Sequence, residues 1–315
     1  MSRSSHKRQL RPEDYTIALI CPRGIVLSAA QFMLDEEHQG LPRANRDPLD
    51  YVLGSMSGHN VVLATLPAQT HSDILAASIT THLVYTFPRA ELRLLVSIGG
   101  GIPSESKDMR LGDVVVSNAD TTHSGVITYD FGKETTQGFV RTAQEPCGTP
   151  AALVEACMKL KHHHRANPNH IANIVDGVGR RNPSINAFHR PPQDTDVLFP
   201  STRTSSDHSP STRGNAVFRP PRQSPNQIKV LHGMIGAGAR LVSDPRRRDE
   251  LAKEYGVICL DTAAPGFRYY PGLVVCGIYH YCDRHYNEYW SHYAAAAAAA
   301  CVKQMLSFIP PTVQN

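Results

Sequence analysis

Apolar residues fall into short, nearly continuous runs punctuated by glycine, proline and polar turns, with helix-length stretches between them. The run from Tyr15 to Cys21 is β-rich and unbroken, as expected of a strand buried on both faces, and Pro22, Arg23 and Gly24 end it. A first helix is predicted over Ile25 to Glu37. Val52–Leu53 and Asn60–Leu66 read as strands around a turn at Ser57, Gly58 and His59. Ser72 to Phe87 has helical length and spacing until Pro88 stops it. Leu92 to Ile98 is a further buried strand that runs into a turn at Gly99, Gly100 and Gly101, and Asp113 to Ser117 is another.

The pattern then lapses. Between about Arg181 and Asn226 the chain is rich in Pro, Ser, Thr, Arg and Asn, too polar to offset the entropy of ordering, and a long surface loop is expected there. Regularity returns with a strand at Ile228–Ile235, a helix near Asp244–Tyr255, strands at Val257–Leu260 and Leu273–Tyr279, and a last helix through the alanine tract Ala294–Ala300. Alanine favours helix and permits close packing, so the tract predicts a tightly packed helix. Strands alternating with helices imply a layered α/β domain. One domain over 14–309 is expected, with polar tails at 1–13 and 310–315.

Composition narrows the class. At 315 residues, 41% hydrophobic and 19% charged, the chain can bury a large core. A formal charge of +4 with scattered Lys and Arg gives no basic stripe, so a nucleic-acid partner is not expected. Seven cysteines is an odd number, and Cys21, Cys259 and Cys276 sit in apolar runs as reduced core residues. Met1 to Arg11 lacks the apolar segment of a leader, and the longest apolar stretch is far too short for a membrane span. A cytoplasmic protein without a membrane partner is the expectation.

The segment Val96-Ser97-Ile98-Gly99-Gly100-Gly101-Ile102-Pro103, followed by Arg110-Leu111-Gly112-Asp113-Val114-Val115-Val116-Ser117, carries a specific signal. Further matches lie at Cys21–His38, Tyr129–Lys133, Gly233–Asp249, and Tyr281-Cys282-Asp283 with His285 and Trp290. Together these resemble the purine and uridine phosphorylase and nucleosidase superfamily over about Asp14 to Phe308. The pattern is similar to nucleosidase-type domains that are joined to sensor or repeat modules, none of which lies within these residues. The resemblance implies a three-layer nucleoside phosphorylase-like α/β fold with a mixed central sheet, helices on both faces, and a pocket at the strand ends beside the triglycine. It also implies cleavage of a nucleoside at its N-glycosidic bond and a homo-oligomer. No organic cofactor is expected, with phosphate the co-substrate such chemistry would take.

Cleaving that bond needs an acid for the leaving base, contacts to the ribose, and an activated water or phosphate. In the resemblance a glutamate after the first strand activates water; Val26 stands there and cannot act as a base. The second acid of a Glu-Met-Glu tripeptide holds the ribose; the matching Asp261-Thr262-Ala263 places Ala263 there. His280 occupies the place of the base-protonating aspartate, and a histidine can donate a proton near neutral pH. The base-stacking loop resembles Gly236 to Leu241, with alanines in place of polar residues. The expected site is therefore His280 as acid, Asp261 as polar anchor, Gly99, Gly100 and Gly101 as an oxygen-binding loop, and Gly238, Leu241, Val242 and Thr262 as further ligand contacts. Altered or lost glycosidic chemistry is the expectation. Two other readings stand beside it: a non-catalytic sensor or oligomerisation module, and a pocket turned to cyclisation or isomerisation of an apolar metabolite.

Other polar clusters have plainer explanations. His280, Cys282, Asp283 and His285 match no zinc spacing, so no metal is expected. Asp283 and Tyr281 brace a strand end, His162 to His164 form a solvated face, Asp261 can cap backbone amides, and Trp290 packs a terminal helix.

Overall fold

The computed structural model describes residues 7–42, 47–65, 72–104, 106–122, 124–142, 147–181, 188–200, 216–267, 270–285 and 288–311. In chain order the elements are β1 (Ile17–Ile20), α1 (Gly24–Phe32), β2 (Glu36–Glu37), β3 (Asp50–Met56), β4 (His59–Thr65), α2 (Ser72–Thr86) and β5 (Leu92–Gly101). There follow β6 (Val114–Ser117), β7 (Val126–Thr128), the hairpin β8 (Gly132–Thr135) and β9 (Gly138–Arg141), α3 (Ala151–Ala166) and α4 (His170–Arg181). The chain ends with β10 (Val230–Ala237), α5 (Pro245–Tyr255), β11 (Val257–Asp261), β12 (Leu273–His280) and α6 (Glu288–Leu306).

Ten strands form one mixed sheet in the order β11-β10-β6-β12-β5-β1-β4-β3-β2, with β7 beside β10. β5 pairs parallel with β1 and β12, and its last glycines also pair antiparallel with β11, so the sheet curls back on itself. The ends of β11 and β12 are thereby drawn against the end of β5. α1, α3 and α4 gather around α6, which lies along β5 and β12, while α2 packs on β1 and β4 with the turn Ala264–Phe267. This is the expected three-layer α/β fold with helices flanking a mixed sheet.

Close packing explains the alanine tract. Ala294 to Ala300 is fully buried, and a Cβ on Gly277 of β12 would lie 2.1 Å from the Ala294 carbonyl oxygen. A helix faced with methyl groups can approach a strand at a glycine to that distance, and larger side chains would hold the two apart. The predicted turn between β3 and β4 is also present, with Ser57 and Gly58 both in the left-handed region at φ 52 and 84.

Three expectations change. The first helix stops at Phe32 instead of Glu37: Glu36 and Glu37 pair with Ser55 and Gly54 as a short edge strand, and the Asp35 carboxylate accepts from the Ser57 amide and the Lys303 ammonium. The polar stretch from Arg181 to Asn226 is not simply a surface loop. Residues 182–187 and 201–215 lie outside the described residues, α4 runs through Arg181, and Phe199 and Arg222 are buried. Finally, His162 to His164 are not one solvated face, because the His164 Nε2 accepts from the Val230 amide at 3.2 Å.

The buried polar clamp explains the second change. Arg222 donates from Nη1 and Nη2 to the two oxygens of Asp113 at 2.7 and 2.6 Å, while the Arg110 and Lys229 amides add bonds of 2.8 and 2.9 Å to the same carboxylate. Burial opposes the Arg222 charge, but Asp113 and then Asp108 outweigh it and raise its pKa. Arg219 reaches Asp196 and the Tyr281 hydroxyl, and the Tyr281 hydroxyl donates to Asp196. Trp290 is tied to the same stretch through Nε1–H donating to Thr195 at 2.9 Å. Arginines in a low-complexity segment thus bind it to the Arg110–Asp113 turn.

Candidate functional site

The site is assembled where β5, β11 and β12 end together. Asp261 closes β11, is 2% exposed, and its Oδ1 accepts from the Ala263 amide at 2.7 Å. Its Oδ2 accepts from the hydroxyl of Ser97, which interrupts the apolar run Leu94–Ile98 of β5. Burial raises the Asp261 pKa, opposed by the Ser97 bond, the Ala263 and Ala264 amides, and the charge of Arg23. Asp261 therefore anchors backbone, and its charge is the less favoured form compared with a carboxylate in water.

His280 closes β12 and is 1% exposed. The Cys282 amide donates to its Nδ1 at 2.9 Å, and since an amide N–H can only donate, Nδ1 is unprotonated. The neutral ring carries its proton on Nε2. Burial, and then the Arg23 charge, push the His280 pKa down to about 4. Near neutral pH this residue is a neutral hydrogen-bond donor.

The triglycine lies inside β5 rather than in a loop beyond it, because β12 pairs with Gly99 and Gly100 and β11 with Gly100 and Gly101. Each missing Cβ corresponds to a neighbour. At Gly99 the space holds the Leu260 carbonyl oxygen at 2.4 Å, and at Gly100 the Cys282 sulfur at 2.3 Å with the His280 Cε1 at 2.7 Å. At Gly101 it holds the Met109 sulfur at 2.6 Å. Glycine is required here because three strands and the His280 ring converge on one backbone.

The remaining expected residues divide. The Gly238 amide donates to the Asp261 carbonyl at 3.2 Å, and a Cβ on Gly238 would meet the Tyr129 hydroxyl at 2.2 Å. Thr262 is half-buried beside Asp261, and Ala263 is buried. Leu241 is 51% exposed on a shallow opening at the start of α5, while Val242 packs against the cluster of Ile102, Tyr129, Leu260 and Cys282. Val26 is fully buried on α1, in the core. Asp283 accepts from the His285 amide at 2.9 Å, the bracing role expected of it.

Four further residues belong to the site. Ser97 was legible as a hydroxyl in an apolar strand. Arg23 is exposed at the start of α1 and lies 5.9 Å above the Tyr279 ring; burial raises the pKa of the Tyr279 hydroxyl, and the Arg23 charge opposes that rise. Tyr129 fills the space over Gly238. Cys276 places its sulfur 3.4 Å from that of Cys259, beneath Gly99. Among the described residues no group of three or more His, Cys, Asp or Glu is arranged to hold a metal ion.

The architecture can now be set against solved structures. A 5'-methylthioadenosine/S-adenosylhomocysteine nucleosidase from Neisseria meningitidis aligns with a TM-score of 0.56 at 15% identity, over 92% of this chain and 98% of that one. Futalosine hydrolase from Helicobacter pylori aligns at 0.54 and 14%, over 93% and 97%, and the 5'-methylthioadenosine/S-adenosylhomocysteine nucleosidase of S. pneumoniae at 0.55 and 13%, over 93% and 99%. The chain thus has the nucleoside phosphorylase and nucleosidase fold. A relative at the level of sequence is a nucleotide-binding leucine-rich repeat (NLR)-like protein of Hyaloscypha variabilis, 36% identical over 304 residues. The match takes in 96% of this chain but only 30% of that protein. No family model matches the chain.

Proposed function

We propose that this chain is a nucleoside-binding domain in which glycosidic cleavage is altered or lost, and that it serves as the ligand-sensing part of a larger NLR-like protein. The observation that carries the reading is the state of His280: buried, neutral, and committed through Nδ1 to the Cys282 amide. A neutral imidazole can donate one hydrogen bond to a ring nitrogen, which favours binding. It is a poor acid for expelling a base, because the neutral ring loses its proton far less readily than a carboxylic acid or an imidazolium. Val26 in the core supports the same reading, since no carboxylate stands there to activate water. Asp261 and Ser97 would orient the ligand through the ordered turn at Thr262 and Ala263. No organic cofactor enters the reading. The alignment with an NLR-like protein favours a sensing role over a metabolic one.

The test is incubation of the protein with adenosine, inosine, methylthioadenosine and uridine, with and without phosphate. Binding is followed by calorimetry and free base by chromatography. Saturable binding without base is expected. Catalytic release of base would overturn the loss of chemistry, and absence of both would overturn nucleoside binding and turn attention to an apolar metabolite.

A further inference from the structure

A second cavity lies beyond the end of β5, outside the site just described. It is a half-open groove of about 940 Å³, within the range of roughly 300–1,000 Å³ that small-molecule sites occupy. One wall is formed by residues 102–104 and 107–110, another by α5 at Arg248, Asp249 and Ala252, and the third by the clamped stretch at 198–200 and 217–222. Its apolar surface comes from Ile102, Met109, Leu198, Phe199, Val217 and Phe218. Two of these are unusually open: Phe218 is 87% exposed and Val217 41%. Phe199 is held in place with its ring centroid 3.9 Å from that of His285.

The charge around this apolar surface is unbalanced. Arg110, Arg222 and Arg248 are each no more than 8% exposed and are anchored to Asp108, Asp113 and Asp249. Arg219 is held by Asp196, and Lys229 shares Asp108 with Arg110 and Arg222. Lys107 makes no ion pair among the described residues. Among the described residues the groove is lined by five cationic side chains, Lys107, Arg110, Arg219, Arg222 and Arg248, and two carboxylates, Asp108 and Asp249, in a low-dielectric wall where an excess positive charge attracts an anion more strongly than in water.

We propose that this groove is a ligand site for a small amphiphile with an apolar body and one anionic head. The body lies against Phe218, Val217 and Leu198, and the head faces Lys107 and the arginine-lined wall. The site is built by the clamped stretch, so the Asp113–Arg222 pair has a function beyond stability: it holds one wall of a binding groove.

The probe is 8-anilinonaphthalene-1-sulfonate, whose fluorescence rises in an apolar site, competed with decanoate and with decanol, its neutral counterpart. Saturable binding at one site is expected, displaced by decanoate and at least several-fold less well by decanol. Phe218→Ala should weaken the probe about tenfold, the worth of a half-buried aromatic face. Lys107→Gln should weaken it about fivefold, the worth of one exposed charge pair, and should shrink the preference for decanoate over decanol. Near-UV circular dichroism checks that both variants remain folded. Saturating adenosine should leave the probe bound. Failure of the probe to bind, equal displacement by decanol, wild-type affinity in both variants, or displacement by adenosine would each overturn the proposal.

Discussion

Two polar regions of this chain are equally withdrawn from water and are built in opposite ways. At the clamp, Asp113 accepts four hydrogen bonds and faces a bidentate guanidinium; burial raises its pKa, and the Arg222 charge and these bonds oppose that rise. At the floor of the candidate site, His280 is neutral, and Asp261 is anchored to a hydroxyl and backbone amides with Arg23 acting only from the exposed rim. The clamp spends its polar groups on joining distant segments. The floor instead holds a neutral imidazole at the end of one strand and a carboxylate bound to a hydroxyl and an amide at the end of another.

The comparison can be broken at the clamp first. Arg222→Ala strands the buried Asp113 carboxylate and should lower stability by about 3–5 kcal/mol in chemical denaturation, since breaking one side of a buried pair leaves a charge without compensation. Removal of the pair together, Asp113→Asn with Arg222→Met, should cost markedly less than Arg222→Ala alone.

The next effect is the response to acid. Burial pushes His164, His232 and His280 each down to about 4. Their folded values lie below the unfolded value, so the unfolded chain takes up protons first. Stability should be full above about pH 6.5, where histidine is neutral in both states, and should fall as pH drops from there toward 4. Thermal midpoints across this range measure it, and His232→Gln should flatten the slope.

Smaller effects separate glycines that packing requires from one that it does not. Gly100→Ala would force a methyl onto the Cys282 sulfur and the His280 ring, and should cost about 1–3 kcal/mol with a change in His280 signals. Gly177→Ala in α4 meets nothing nearer than the Arg180 Nη2 at 3.9 Å and should stabilise the chain by about 0.5–1 kcal/mol through helix propensity. A stabilised Gly100→Ala would refute the packing explanation of the triglycine.

The scaffold was legible because burial on both faces writes itself locally: the apolar runs at β1, β5, β11 and β12 and the alanine tract of α6 each declare their element within a few residues. The triglycine, Asp261 and His280 were also legible as candidates, and the ends of β5, β11 and β12 bring them together. What the triglycine does locally was not, because three glycines read equally as a turn or as the meeting point of strands far apart in sequence. The clamp was invisible for the same reason. Arg222 and Asp113 are 109 residues apart, and Arg222 stands among prolines and serines whose composition argues for a solvated loop. The hairpin of β8 and β9 also escaped, since its strands are exposed on both faces and carry no apolar alternation.

The most direct test of the account is a nuclear magnetic resonance titration of the His280 ring between pH 4 and pH 8, assigned by comparison with His280→Gln. The ring should stay neutral and protonated on Nε2 throughout the neutral range, with its charge appearing only near pH 4. A ring that becomes cationic near pH 6.5 or above would contradict it, because an imidazolium at that position could protonate a departing base.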